Sequence, residues 1–269
     1  MTAPASSTLL AEAPAGRHLA QFHRDAAALA DSVQLFLEGG LRRGNSLLVI
    51  ATAESADRVL ELLNESKFHP QALISSGQLE MCDAKALLRQ IMGNGSPEWP
   101  RFRSTLGAIL ERIRPFGHGT RVYCELSGVL WRDGNSRGAV EIEEHWNTLA
   151  RAYAFSLYCG FVFDMQSEES YAGPLEELGD TFSDILGNAE DERFEIALDR
   201  ASKEIFGISL SQMAGMTKQN GARRFPGGQR SMLWMKRNLP MSTSQLAERA
   251  RRYFHDSPSR SRDFLTPSP

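Results

Sequence analysis

His18, His23, Glu125, Trp131, Glu143 and Trp146 are the residues of this 269-residue chain whose types suit contact with a small ligand. Imidazole donates or accepts a proton near neutrality. A carboxylate at a strand end anchors a polar group, and tryptophan supplies an aromatic wall. Their spacing carries the suggestion. His23 follows the first apolar strand, Thr52 and Glu54 follow the second, and Glu125 ends the strand RVYC. Glu143, His145, Trp146 and Asn147 lie on the helix after it. Ligands of open parallel sheets bind beyond the carboxyl ends of the strands. The pattern therefore predicts a small-molecule pocket bounded by His23, Glu125 and Trp146. Plainer roles compete. His23 can be a helix-start residue, and His18 can begin a strand at the surface. Glu125 can be paired with an arginine or a backbone N–H, and both tryptophans can be core. Glu143 and Glu144 are adjacent, so they point to different faces of a helix and form no carboxylate dyad.

Other chemistry is excluded by what the motifs lack. The turn after the first strand is His23-Arg24-Asp25, where many nucleotide-binding proteins have a glycine loop around a phosphate. Without that loop's N–H groups and lysine, a triphosphate loses its main contacts. ATP hydrolysis is not expected, and the chain reads as non-catalytic. No nucleophile elbow is read in the chain, and no H-E-x-x-H or Cys-x-x-Cys occurs. GNSRG at 134–138 is a turn. Cys82, Cys124 and Cys159 are widely spaced in apolar, strand-like surroundings. They suit buried free thiols in a reducing cytoplasm rather than a disulfide or zinc site. No metal ligands and no cofactor are assigned.

These residues need elements to hold them. HLAQF (18–22) reads as a short buried strand, with Asp25 capping the next helix. Leu29, Val33, Phe36 and Leu37 form one apolar face of that helix, and Gly39-Gly40 is expected to stop it. NSLLVIAT (45–52) is apolar throughout, the mark of a strand covered on both faces. A helix over 54–64, a strand at 79–83 and helices near 84–91 and 101–114 follow. RVYCELSGVLW (121–131) is a strand entering a loop or short helix. A helix over 139–152 carries Ile142, Trp146 and Leu149 on one side, and 154–163 is a buried strand. This alternation predicts an α/β fold, a mostly parallel sheet flanked by helices, over 16–170.

The flanks differ. Residues 1–15 read as a disordered leader without signal-peptide features. LEELGDTFSDILG and AEDERFEIALDRASKEIFG read as amphipathic helices opening a helical region over 171–256, and 257–269 as a disordered tail. The whole chain has net charge −3. From residue 201 onward there are 12 Lys and Arg against 4 Asp and Glu, which suggests two units or a body with a basic tail. SMLWMKRN and TSQLAERARRYF form an expected helical hairpin over 229–254. Its Lys236, Arg237, Arg249, Arg251 and Arg252 are candidates for phosphate contacts with DNA, or for docking on an acidic partner or on the acidic body itself.

HLAQFHRD, FLEGGLRRGNSLLVIAT, CELSGVLWRDGN and VEIEEHWNTLARAYAFSLYC together resemble the MEDS domain, the methanogen/methylotroph DcmR sensory domain. The matching positions are His18, Phe22, Gly40-Leu41, Gly44, Glu125, Leu130-Trp131, Gly134-Asn135, Glu143, Trp146-Asn147 and Leu149. Cys124 stands where the family commonly has glycine, and His23 where tyrosine or glutamate is frequent. The resemblance covers about 16–165. It implies a RecA-like, KaiC-related sheet that has lost nucleotide hydrolysis, with Glu125 near the place of the acidic residue that governs metal in the ATPases. It further implies sensing of small organic compounds and partners such as a histidine kinase or a transcription regulator.

The expectation is thus a cytoplasmic, non-membrane sensory module with a small-molecule ligand and a signalling partner. Its rivals are a DNA-binding regulator, a protein-interaction adaptor and an enzyme, either a residual nucleotide hydrolase or one using Glu125 as base.

Overall fold

A computed structural model describes residues 3–113, 118–215 and 224–256. Six strands form one parallel sheet: β1 (His18–His23), β2 (Ser46–Ala51), β3 (Leu79–Asp83), β6 (Thr120–Cys124), β7 (Phe155–Val162) and β8 (Asp184–Leu186). Their order is β3-β2-β6-β7-β1-β8. A two-residue hairpin, β4 (Met92–Gly93) with β5 (Ser96–Pro97), lies apart from it. β1 and β2 are buried along their whole length and β7 as far as Phe161, and the near-continuous apolar runs of β2 and β7 are those of strands covered on both faces.

Alternate residues of each strand face two cores. Leu19, Leu47, Val49, Tyr123 and Tyr158 pack under α1 (Ala3–Glu12), α2 (Ala26–Leu41) and α3 (Ala53–Glu65), with α4 (Pro70–Ser75) behind. Ala20, Phe22, Leu48, Ile50, Cys124 and Cys159 face the larger core on the other side. That side is covered by α5 (Ala84–Ile91), α6 (Trp99–Ile113), α7 (Leu126–Arg132) and α8 (Ser136–Leu149). The same core continues into α9 (Leu175–Thr181), α10 (Ala189–Phe206), α12 (Gly227–Asn238) and α13 (Thr243–Asp256), with the short α11 (Leu210–Gly215) between them. Asp25 caps α2 as read, accepting from Ala28 N at 2.9 Å. Asn188 opens α10 with a reciprocal capping box to Asp191.

Three elements depart from the sequence reading. Residues 3–12 are helical rather than a disordered leader. Leu10 is buried against α2, and Arg121 donates to the last carbonyls of α1, Ala11 O at 3.0 Å and Glu12 O at 2.6 Å. Gly39-Gly40 does not stop α2, which runs on to Leu41. A Cβ at Gly39 would overlap the Ala11 carbonyl, and one at Gly40 would lie 2.7 Å from the Arg121 side chain. The pair is a seat for α1 and for that arginine. Residues 175–187 are not one helix: α9 ends at Thr181 and β8 joins β1 in parallel, past the expected boundary at 170. The tail at 257–269 lies outside the described residues.

Candidate functional site

Strand order sets where ligand chemistry can gather. From β2 the chain leaves through α3 toward β3, on one face and in one direction. From β6 it leaves through α7 and α8 toward β7, on the other face and in the opposite direction. Such a reversal opens a crevice at the carboxyl edge, the usual ligand position of open α/β sheets. Glu125 and Thr52 stand on its two sides. Glu125 Oε2 accepts from Thr52 N at 2.8 Å, and Oε1 accepts from the Tyr123 hydroxyl at 2.7 Å. Tyr123 lies two residues before Glu125, so strand alternation puts both on one face. Glu125 is 4% exposed, and among the described residues no cation is paired with it. Of the two ordinary partners expected, it has the backbone N–H and not the arginine.

His23 lies on the same face of the sheet. Its Nε2 is 2.9 Å from the Tyr158 hydroxyl, which donates to Gln21 Oε1 at 3.4 Å. The rings of Tyr158 and Tyr123 lie 5.8 Å apart and bring the two polar groups together. Burial lowers the pKa of His23 to about 4, so the ring is neutral at physiological pH. Beyond it, Arg24 is exposed and reaches Glu190 on α10 at 2.6 Å. Asn188 Nδ2 donates to Phe22 O at 3.2 Å. The His23-Arg24-Asp25 turn and the strand residue before it therefore touch the start of the C-terminal helices.

His18, Glu143 and Trp146 sit on the opposite face, so the three-sided pocket expected from His23, Glu125 and Trp146 is not formed. Trp146 is wholly buried against Phe102 and Phe155. It is core. Trp131 is half-buried against the same core. His18 is buried at the amino end of β1, not at the surface. Its Nε2 lies 3.0 Å from Glu143 Oε2 and its Nδ1 2.9 Å from Asn147 Oδ1. Glu143 is fully buried while Glu144 is exposed, which is the division of faces expected for adjacent helical residues. His145 points to Pro97 O at 3.3 Å and packs on Trp99 and Phe102. Clefts of about 350 Å³ (Gly119, Thr120, Tyr153), 310 Å³ (Pro174, Glu176, Arg237) and 580 Å³ (Trp99, Arg103, Tyr153) open elsewhere.

The five basic candidates of the C-terminal helices all meet groups of this chain. Arg237 pairs with Glu176 at 2.5 Å, Arg249 with Glu204 at 3.2 Å and Arg252 with Glu248 at 2.5 Å. Lys236 donates to Glu168 O at 3.2 Å and Arg251 to Gln166 O at 3.4 Å. Four of these five contacts are with the body or with α9 and α10, the self-docking alternative of the sequence reading.

The sequence reading missed Tyr123, Tyr158, Gln21, Cys159, Ser127 and Arg121 as members of buried polar networks. Period-two alternation from Glu125 and His23 signals Tyr123 and Gln21. Nothing local marks the others, whose partners are 16 to 141 residues away.

A wholly parallel six-stranded sheet covered by helices on both faces, with a buried carboxylate at the reversal of strand order, defines an open α/β domain. A family model described as MEDS, MEthanogen/methylotroph, DcmR Sensory domain, matches residues 17–173, more than half of the chain. The chain belongs to this family of sensory domains, as the motifs at His18, Glu125 and Trp146-Asn147 imply. No match was found among curated proteins. Among the described residues no helix is long and apolar enough to cross a membrane.

Proposed function

We propose that the chain is a non-catalytic sensory module that takes up a small organic ligand in the crevice between β2 and β6 and passes its occupancy to a signalling or transcription partner through the C-terminal helices. Descent from a RecA-like nucleotide-binding sheet is part of the same reading. The observation that carries it is Glu125: a buried carboxylate at the switch point, held by one N–H and one hydroxyl and, among the described residues, by no cation. Such a group keeps acceptor capacity for a ligand hydroxyl or amine. Glu125 and His23 are 4% and 2% exposed, so the ligand enters by local opening at the rim formed by Arg24, Thr52 and Glu54. The contact of Arg24 with Glu190 and that of Asn188 with the nearby Phe22 carbonyl supply the route to the C-terminal helices. Ligand drives this change only through different affinities for the two arrangements.

The closed state of the crevice favours a second reading, a protein-interaction adaptor that never holds a ligand. Thermal unfolding in a broad panel of small organic metabolites separates the two, because a ligand bound to the folded state raises Tm by mass action. The sensor reading expects at least one compound to raise Tm in wild type and not in Glu125→Gln. A panel without any shift leaves the adaptor. ATP turnover abolished by Glu125→Gln would instead make the chain an enzyme, and none is expected.

A further inference from the structure

We propose that His18, Glu143 and Cys159 form a binding site for a divalent transition metal of the zinc class, on the face of the sheet opposite Glu125. Three separate elements supply the ligands: β1, α8 and β7. His18 Nε2 lies 3.0 Å from Glu143 Oε2, Cys159 Sγ 3.4 Å from the same oxygen, and Sγ 3.6 Å from His18 Nε2. Metal bonds of about 2.0–2.3 Å at tetrahedral angles place neighbouring donor atoms about 3.3–3.7 Å apart. The triangle needs only tenths of an ångström of adjustment. A mixed imidazole, carboxylate and thiolate set suits borderline-soft zinc rather than magnesium or calcium.

The surroundings are those of a ligating set. Asn147 Nδ2 donates to Thr181 O at 2.8 Å, which turns its Oδ1 toward His18 Nδ1 and requires the proton on that nitrogen. Nε2 is then the atom offered to the site. Ser127 Oγ donates to Glu143 Oε1 and leaves Oε2 facing the other two groups. Outer partners of this kind orient metal ligands and tune affinity. Cys124, the register partner of Cys159 on β6, stands beside the site. The two positive charges of a divalent ion match the one carboxylate and one thiolate of the set, with the imidazole as neutral third ligand. His18, Glu143 and Cys159 are all buried, so loading requires opening or folding. The cover is the segment at 181–183: Phe182 packs edge-on to the His18 ring, and Ser183 Oγ accepts from His18 N at 3.2 Å. That segment leads directly into β8. An ion here would clamp β1, α8 and the entry to the C-terminal region together.

Cobalt(II) reports on such a site through its thiolate-to-metal charge-transfer band and its four-coordinate d–d bands. The experiment adds Co²⁺ to the full chain, both native and refolded from denaturant after chelator treatment. The expected result is one ion per chain with the thiolate band in wild type and in Cys82→Ser, and loss of that band in Cys159→Ser. Asn147→Leu, which keeps all three ligands, should weaken binding about 10- to 100-fold with unchanged circular dichroism. It carries the test if Cys159→Ser fails to fold. Absence of the band from wild type under both loading conditions overturns the proposal. So does a band that persists in folded Cys159→Ser, or unaltered affinity in Asn147→Leu.

Discussion

Glu125 and Thr52 face each other across the reversal point of the sheet, joined by a 2.8 Å hydrogen bond from the Thr52 amide to Oε2. The bond closes the crevice and ties the end of β6 to the start of α3. Removing the carboxylate leaves both the Thr52 N–H and the Tyr123 hydroxyl without their buried acceptor. Glu125→Ala should therefore cost about 2–4 kcal/mol in urea unfolding. Glu125→Gln keeps one acceptor and should cost about 1 kcal/mol, which makes it the right variant for ligand work. Equal losses in the two variants would mean that shape rather than hydrogen bonding holds the crevice shut.

Arg121 is buried, and among the described residues no carboxylate is paired with it. Its guanidinium donates to Phe36 O at 2.7 Å as well as to the carbonyls ending α1, and burial lowers its pKa to about 10. Positive charge at a helix C-terminus is favourable, and here it holds α1 on α2. Gly39→Ala should cost about 1–3 kcal/mol by pushing α1 off its seat. Arg121→Met should cost about 2–3 kcal/mol through lost charged hydrogen bonds. Because both act on the same carbonyls, the double variant should fall short of the sum by at least about 0.5 kcal/mol. Strict additivity would contradict a shared contact.

How far the sequence discloses this molecule follows from the range of each contact. The parallel α/β fold is legible because apolar runs and helical periodicity are local. Asp25 as a cap, the stacked motifs around Glu125, and the opposed faces of Glu143 and Glu144 are legible for the same reason. The glycine pair was misread because its reason lies in Ala11 and Arg121, 28 and 81 residues distant. β8 was hidden because its three residues follow a helix of seven and carry no alternation of their own. The grouping of His23 with Trp146 failed on a parity: the strand alternation that faces His23 one way faces His18 and the Trp146 helix the other.

Two buried groups give opposite pH dependences. Burial holds the folded pKa of His23 near 4, below its ordinary 6.5, so the folded state binds fewer protons than the unfolded one between those values. The stability this neutral ring retains is full above pH 6.5 and is lost as pH falls through 4. Burial raises Asp191 to about 7 from 3.8, against hydrogen bonds from Asn188 N and Gln229. Its stability is full below 3.8 and is lost as pH rises through 7. The two nearly cancel between pH 4 and 6.5. Denaturant midpoints measured across pH should bring out one slope at a time. Asp191→Asn should leave stability rising with pH, and His23→Gln should leave it falling, each by about 2–3 kcal/mol. Parallel pH profiles in both variants would show that neither residue is the source.

The basic C-terminal face is engaged with the chain itself, through exposed pairs. Such pairs are worth little, so alanine at Arg237, Arg249 or Arg252 should change stability by less than about 1 kcal/mol. Gel shifts across salt decide whether these residues also read DNA. The sensor account expects binding only at low salt, whereas a specific complex at about 150 mM salt would establish the DNA-binding rival.

Amide hydrogen exchange with and without a compound that raises Tm tests the central claim most directly. The account predicts ligand-dependent protection at Thr52 and the residues around Glu125, together with altered exchange at 181–190, where the sheet meets the C-terminal helices. Protection confined to one of the open clefts near Tyr153 or Arg237, with the Glu125 crevice and 181–190 unchanged, would contradict it.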